Sequence, residues 1–258
     1  WIPRYAYQIS SNYHTNSTSG GTINIKFMKG TTNEAADGTS TWSNSSGQGN
    51  WNIHPGFNYS STASGLWVAK FEASRNNATA SSEGSGNTIK IQPGVQSWRD
   101  ITVNDIYTNC LNYNKTLNSH MMKNDEWGAV AYLSKSKYGK NAEVDINDDS
   151  SYYTGGGSGN AYVNNVGQST TGTVYGVYDM SGGAWEYVAA YVDNGDSNLT
   201  SYGSSLVNGD AKTKNVYSKG SSDSRDNNYS ANSGKYGDAV YETSANGNSS
   251  SSSWYGDY

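Results

Sequence analysis

Hydrophobic residues recur at helical spacing in only two places along this chain, 102–115 and 124–139. All other apolar material comes in short extended bursts, separated by tracts of Gly, Ser, Thr and Asn. The pattern predicts an α+β chain with two main helices, small sheets and long irregular loops. In the first helical stretch Val103, Ile106, Tyr107, Cys110 and Leu111 share one face. Thr102, with Asp105 three residues on, makes a capping box. In the second, Asn124 is the expected N-cap, with Asp125 and Glu126 in the first turn. Lys135 and Lys137 occupy the last turn, Gly139 is the expected stop, and Trp127, Val130, Ala131 and Leu133 form the core face.

The extended bursts read as strands. "TINIKFMKG" (22–30) alternates Ile23, Ile25 and Phe27 with polar residues, the period of a strand with one buried face. "SGLWVAKFEAS" (64–74) reads as a second strand with Leu66, Val68 and Phe71 inward. "IKIQPGV" (89–95) is short and extended, stopped by Pro93. Stretches 31–50, 75–89, 193–235 and 243–253 read as polar loops, and loops of more than about 12–15 residues are usually functional or disordered. With no repeat and no clean linker, 1–258 reads as one domain with large decorations, 1–63 supplying its first strands.

Such a chain has little aliphatic material, with hydrophobic content at 34%. Charged content is only 15%, which argues against the charge-rich kind of disorder. The 22 Tyr and 8 Trp must carry much of the packing, since each large aromatic buries roughly 150–250 Å². A net charge of −5 without a basic patch argues against a nucleic-acid partner. A single cysteine, Cys110, excludes an intrachain disulfide framework. No apolar run is long enough to span a membrane. The chain opens at Trp1 with neither Met nor signal peptide, and so reads as a mature or trimmed product. Its Ser, Thr, Asn, Gly and Tyr, with few Lys and Glu, match the composition of exported surface proteins.

The stretch "YDMSGGAWEYV" (178–188) sets two glycines between Asp179 and Glu186. By itself it is either a turn whose acids hold backbone amides or a loop that curls around a cation. Three pieces of the chain, in order over 64–192, resemble motifs of the formylglycine-generating, sulfatase-modifying enzyme superfamily. "WVAKFEAS" is similar to its "GKYEVT" strand. "SWRDITVNDIYTNCLNYNK" with "HMMKNDEWGAVAYL" is similar to its paired helices. "VYGVYDMSGGAWEYVAAY" resembles its "GLYDMHGNVWEWV" hallmark. The resemblance implies a C-type-lectin-like fold with two main helices and small twisted antiparallel sheets. It also implies that the closing strands of the domain are missing or supplied differently, because the sequence stops at "SSWYGDY". "WIPRYAYQI" and "HMMKNDEWGAVAYLSKSKYGKN" resemble a group of surface proteins of gut Firmicutes, some with a pilin-type leader.

The fold hosts enzymes, sugar-binding modules and retroelement-diversified proteins, so the chemistry must choose. The catalytic members use a pair of reactive cysteines or clustered histidines. Here Cys110 is alone at a core-facing helix position, and His14, His54 and His120 are scattered. No Gly-x-Ser-x-Gly elbow supports a serine nucleophile. In the family the hallmark loop binds calcium, which implies the Asp179 and Glu186 side chains and the Gly182 and Ala184 carbonyls as ligands. Trp185 reads as core. The run Asp145, Asn147, Asp148 and Asp149 lacks the Gly and closing Glu of an EF-hand. Exposed Tyr, Ser, Asn and Gly near the end have a paratope-like character, which makes Tyr229, Tyr236, Trp254, Tyr255 and Tyr258 the expected ligand contacts.

The resulting expectation is a non-catalytic domain of a bacterial cell-surface protein: an adhesin, pilin-like or filament subunit with a protein or glycan ligand and structural Ca2+. A phage receptor-binding or tail protein and a sulfatase-modifying-type oxidoreductase are the alternatives.

Overall fold

The computed structural model describes residues 1–15, 21–76 and 89–243. Strands β1 (Ile2–Pro3), β2 (Tyr5–Ile9), β3 (Ile23–Phe27), β4 (Asn52–Ile53) and β5 (Gly65–Leu66) come first. They are followed by β6 (Ser74–Arg75), β7 (Ile89–Lys90), helix α1 (Val103–Tyr113) and helix α2 (Asn124–Lys135). The chain continues through β8 (Ala190–Asp193), α3 (Ser197–Ser201), α4 (Ser204–Val207), β9 (Asn215–Ser218), α5 (Arg225–Asn232) and α6 (Ala239–Thr243). The architecture is mixed helix and sheet. The main sheet has order β3-β2-β4, and β1–β5 and β6–β7 are antiparallel pairs, while β8 and β9 pair in parallel.

Both main helices form where hydrophobic spacing places them, but α2 ends at Lys135 with Ser136 as its C-cap, so Lys137 and the expected stop Gly139 lie beyond it. Thr102 caps α1 by accepting the Asp105 N–H. Helix α2 is capped one residue earlier than expected. Lys123 is the N-cap and Asn124 the first helical residue, because Glu126 reaches back to the Lys123 N–H at 2.9 Å. Asn124 instead uses its side chain to reach Tyr217 and Asp238.

The burst 64–74 is a strand only at its two ends, β5 and β6. Its middle joins no sheet and bends at Lys70 and Phe71, and Trp67 lies in solvent at 81% exposure. The tract 193–235, expected as loop, contains three helices and a strand. Asp196 and Ser224 cap helices, while Leu206, Tyr217 and Tyr229 bury apolar surface. These caps and isolated apolar residues order a segment whose hydrophobic spacing is too sparse to show a period.

The largest core lies between the β2–β3 face and α2, around Tyr5, Tyr7, Ile9, Ile25, Phe57, Val130 and Tyr132. Tyr7 and Tyr132 rings meet at 4.9 Å, with the His54 ring 5.0 Å from Tyr7 and 5.4 Å from Tyr132. Burial drives His54 down to about 3, so it is a neutral packing residue. A buried tyrosine hydroxyl needs a partner. Tyr7 and Tyr132 both donate to the Glu242 carboxylate at 2.7–2.8 Å, and the Gly237 N–H adds a third donor at 2.8 Å. Glu242 thereby locks α6 onto the core. Burial raises its carboxyl to about 7, against the three hydrogen bonds that favour the anion.

Because the folded-state value lies above the unfolded one, Glu242 favours folding most at low pH. That contribution is lost as pH rises from about 4.5 to about 7. In urea denaturation at pH 5 and pH 7.5, Glu242→Gln will lose less stability across the interval than the native chain. An equal loss in both would show that Glu242 does not titrate there.

Candidate functional site

Residues 178–188 sit where the segment before β6, the 145–155 loop and α2 converge. Asp179 takes a left-handed backbone at φ +56, unusual for a residue with a side chain. The conformation turns its carboxylate inward, and the residue is only 6% exposed. Oδ1 accepts the Gly155 N–H at 2.8 Å and the Asn147 amide at 3.0 Å, and Oδ2 accepts the Glu72 N–H at 3.3 Å. One carboxylate thus holds two other segments of chain, the 145–155 loop at two points and the segment before β6 at one. Burial raises its pKa, while the amide donors oppose the rise.

Gly182 and Gly183 follow at φ +78 and +71. The loop runs hard against residue 147: Asn147 N–H donates to Ser181 O at 2.8 Å and Gly183 N–H to Asn147 O at 2.6 Å. A Cβ on Gly182 would stand 2.5 Å from Asn147 O, so glycine is required there on both counts.

A second acid enters from outside the loop. Glu72 accepts hydrogen bonds from the Ser97 hydroxyl and the Ala184 N–H. Burial first, then the Asp179 charge, push its carboxyl up to about 8. Glu186 completes the group. The residue as a whole is exposed, and its carboxyl feels the Glu72 and Asp179 charges. Lost hydration and those two charges raise it well above the ordinary range. Three carboxyls that mutually resist ionisation suit either shared protons or a cation.

Of the four expected metal ligands, the structure brings Asp179 and Glu186 into one electrostatic group and adds Glu72. The Gly182 and Ala184 carbonyls accept no hydrogen bond among the described residues. As the side chains stand, no three His, Cys, Asp or Glu among the described residues are disposed to hold a metal ion. The Asp179 oxygens are turned to amides, the arrangement expected of a self-held turn. Glu72 carries no sequence signal of its own: it alternates with Lys70 in an extended burst as any surface acid does.

Several expectations for single residues are corrected. Trp185 is not core: it is 89% exposed, with Tyr187 at 53% beside it, because the 185–187 segment pairs with no strand among the described residues. Tyr229 is not a surface contact. It is 6% exposed, stacks on Tyr241 at 5.2 Å and bonds His14 Nδ1 at 2.5 Å. Tyr236 is half-buried, and Trp254, Tyr255 and Tyr258 lie outside the described residues. Burial raises the Cys110 thiol to about 11, which leaves it a poor nucleophile. His120 is tied to the Asn118 carbonyl and the Glu126 carboxylate.

Gly182→Ala will cost about 1–3 kcal/mol from backbone strain alone, with the clash at Asn147 O added. Gly195→Ala is the control: its φ is +74, but nothing lies within 4 Å of the new carbon. Urea denaturation of the two variants separates close approach from conformation, and equal losses would remove the packing role of Gly182. No protein-family model, curated protein or solved structure matches this chain.

Proposed function

We propose that this chain is a non-catalytic ligand-binding domain of C-type-lectin-like architecture, working at a bacterial cell surface. The observation that carries the reading is that Glu186, with Glu72 beside it, shares its loop with two exposed aromatic side chains, Trp185 and Tyr187. Glu72 and Glu186, with the Gly182 and Ala184 carbonyls, offer the hard oxygen donors that calcium takes. Asp179 orients the loop from behind through its amide bonds. A calcium ion there neutralises the repulsion between Glu72 and Glu186 and fixes the segment that carries Trp185 and Tyr187.

Exposed aromatic faces of this kind bind the apolar face of a sugar ring or a protein surface. The expected contacts therefore move from Tyr229 to Trp185 and Tyr187. The thiol and histidine chemistry described above offers no activated nucleophile, which supports a binding role.

Calcium will raise the melting temperature relative to chelator, and Glu72→Gln will abolish most of the increase. Because protons compete for Glu72 up to about pH 8, the calcium affinity will tighten as pH rises from 6 to 8.5. An unchanged melting temperature in calcium at pH 8.5 would sink the cation. On a glycan array, Trp185→Ala will lose whatever signal the native chain gives while keeping the calcium response. Signal retained in Trp185→Ala would remove the aromatic contact from the reading.

A further inference from the structure

Among the described residues the main sheet leaves its β3 edge without a neighbouring strand, and the structure there is shaped for one. Ladder parity identifies the open groups. Met28 N–H bonds Arg4 O and Ser10 N–H bonds Thr22 O, so Lys26 and Asn24 exchange hydrogen bonds with Ala6 and Gln8. Ile23, Ile25 and Phe27 therefore direct their N–H and C=O groups away from β2. The Phe27 carbonyl is taken by the Ala36 N–H. The N–H and C=O groups of Ile23 and Ile25 find no partner among the described residues.

A groove of about 480 Å³ wraps this edge. It is lined by both faces of β3, as a strand laid alongside would require. On one side Lys26 lies 4.6 Å from the Trp51 ring centroid and pairs with Asp37 at 3.1 Å. On the other, Tyr138 packs edge-on against Phe27 at 4.8 Å and remains 49% exposed. Lys137 is exposed beside it, with its ammonium 5.1 Å from the Tyr138 ring, and forms no ion pair among the described residues.

From this geometry we infer that the β3 edge is a strand-addition site for an extended peptide segment that carries an acidic side chain. The backbone of the segment pairs with Ile23 and Ile25, and its acid meets Lys137. Unpaired main-chain groups select an extended chain over a helix or a small molecule, since only a strand matches their spacing. The charge selects the sequence: Asp37 is already neutralised by Lys26, so the uncompensated charge in the groove is positive in a chain whose net charge is −5. Lysine along an open edge also discourages pairing with a second copy, whose edge brings the same cations.

The test uses the full chain, labelled with 15N, and the peptide acetyl-Thr-Val-Glu-Val-Thr-amide. The Ile23 and Ile25 amides will shift and exchange more slowly as peptide is added at millimolar concentration. Two N-methylated peptides, one methylated at both valine amides and one at the glutamate amide, separate backbone pairing from side-chain contact. Only the peptide methylated on the face that meets β3 will lose binding. Lys137→Glu, an exposed change that leaves the core untouched, will weaken the native peptide by about fivefold. Absence of shifts at Ile23 and Ile25, equal binding by both methylated peptides, or full binding by Lys137→Glu would each overturn the proposal. So would a concentration-dependent dimer that protects the same two amides.

Discussion

A tyrosine hydroxyl taken out of water calls for a partner, and tyrosines are the five largest side chains fully buried among the described residues. Tyr5 donates to the Ala129 carbonyl, Tyr7 and Tyr132 to Glu242, and Tyr217 to Asp238. Tyr107 pairs with Thr213, and Tyr178 reaches the Tyr162 carbonyl. Each ring supplies the apolar area that few aliphatic residues provide, and each hydroxyl adds a directional demand. Satisfying those demands decides which distant segments meet. Loops held this way need no long secondary structure to be ordered.

The buried carboxylates are the other half of the same arrangement. Glu242 and Asp238 collect hydroxyl and amide donors around the last helix. Asp179 does the same for the loop beside Glu72. In each case burial favours the neutral acid and the donors favour the anion, so these groups are held in tension. The group at Glu72, Asp179 and Glu186 differs because its acids face one another. Around Glu242 the Asp238 charge also pushes upward, but three donors surround that carboxylate, whereas Glu72 stands beside, and Glu186 on, a loop that carries exposed aromatic side chains.

The sequence made the two helices legible because their apolar spacing is regular and their ends carry capping residues. The edge strand at Ile23–Phe27 was legible through its alternation. The segment 193–235 was not, since single buried residues such as Leu206 and Tyr217 produce no period. The loop at 178–188 announced itself by its glycines and acids. Its third acid did not, because Glu72 lies 107 positions away from Asp179 and only the tertiary fold joins them. Trp185 was misread because tryptophan is usually buried. Here its segment has no neighbouring strand among the described residues to cover it.

The hydrogen bond from Tyr7 to Glu242 spans 235 positions of chain. A ribosome delivers the N-terminal strand long before its carboxylate partner. Until then the hydroxyls of Tyr7 and Tyr132 lack their carboxylate acceptor, and the core packed against the main sheet stays incomplete. Contacts closed over such a separation are slow to form, because loop entropy is lost before the contact rewards it. Helix α6 therefore closes that core: a chain truncated before Glu242 leaves it open, and exposed, to whatever else is folding nearby.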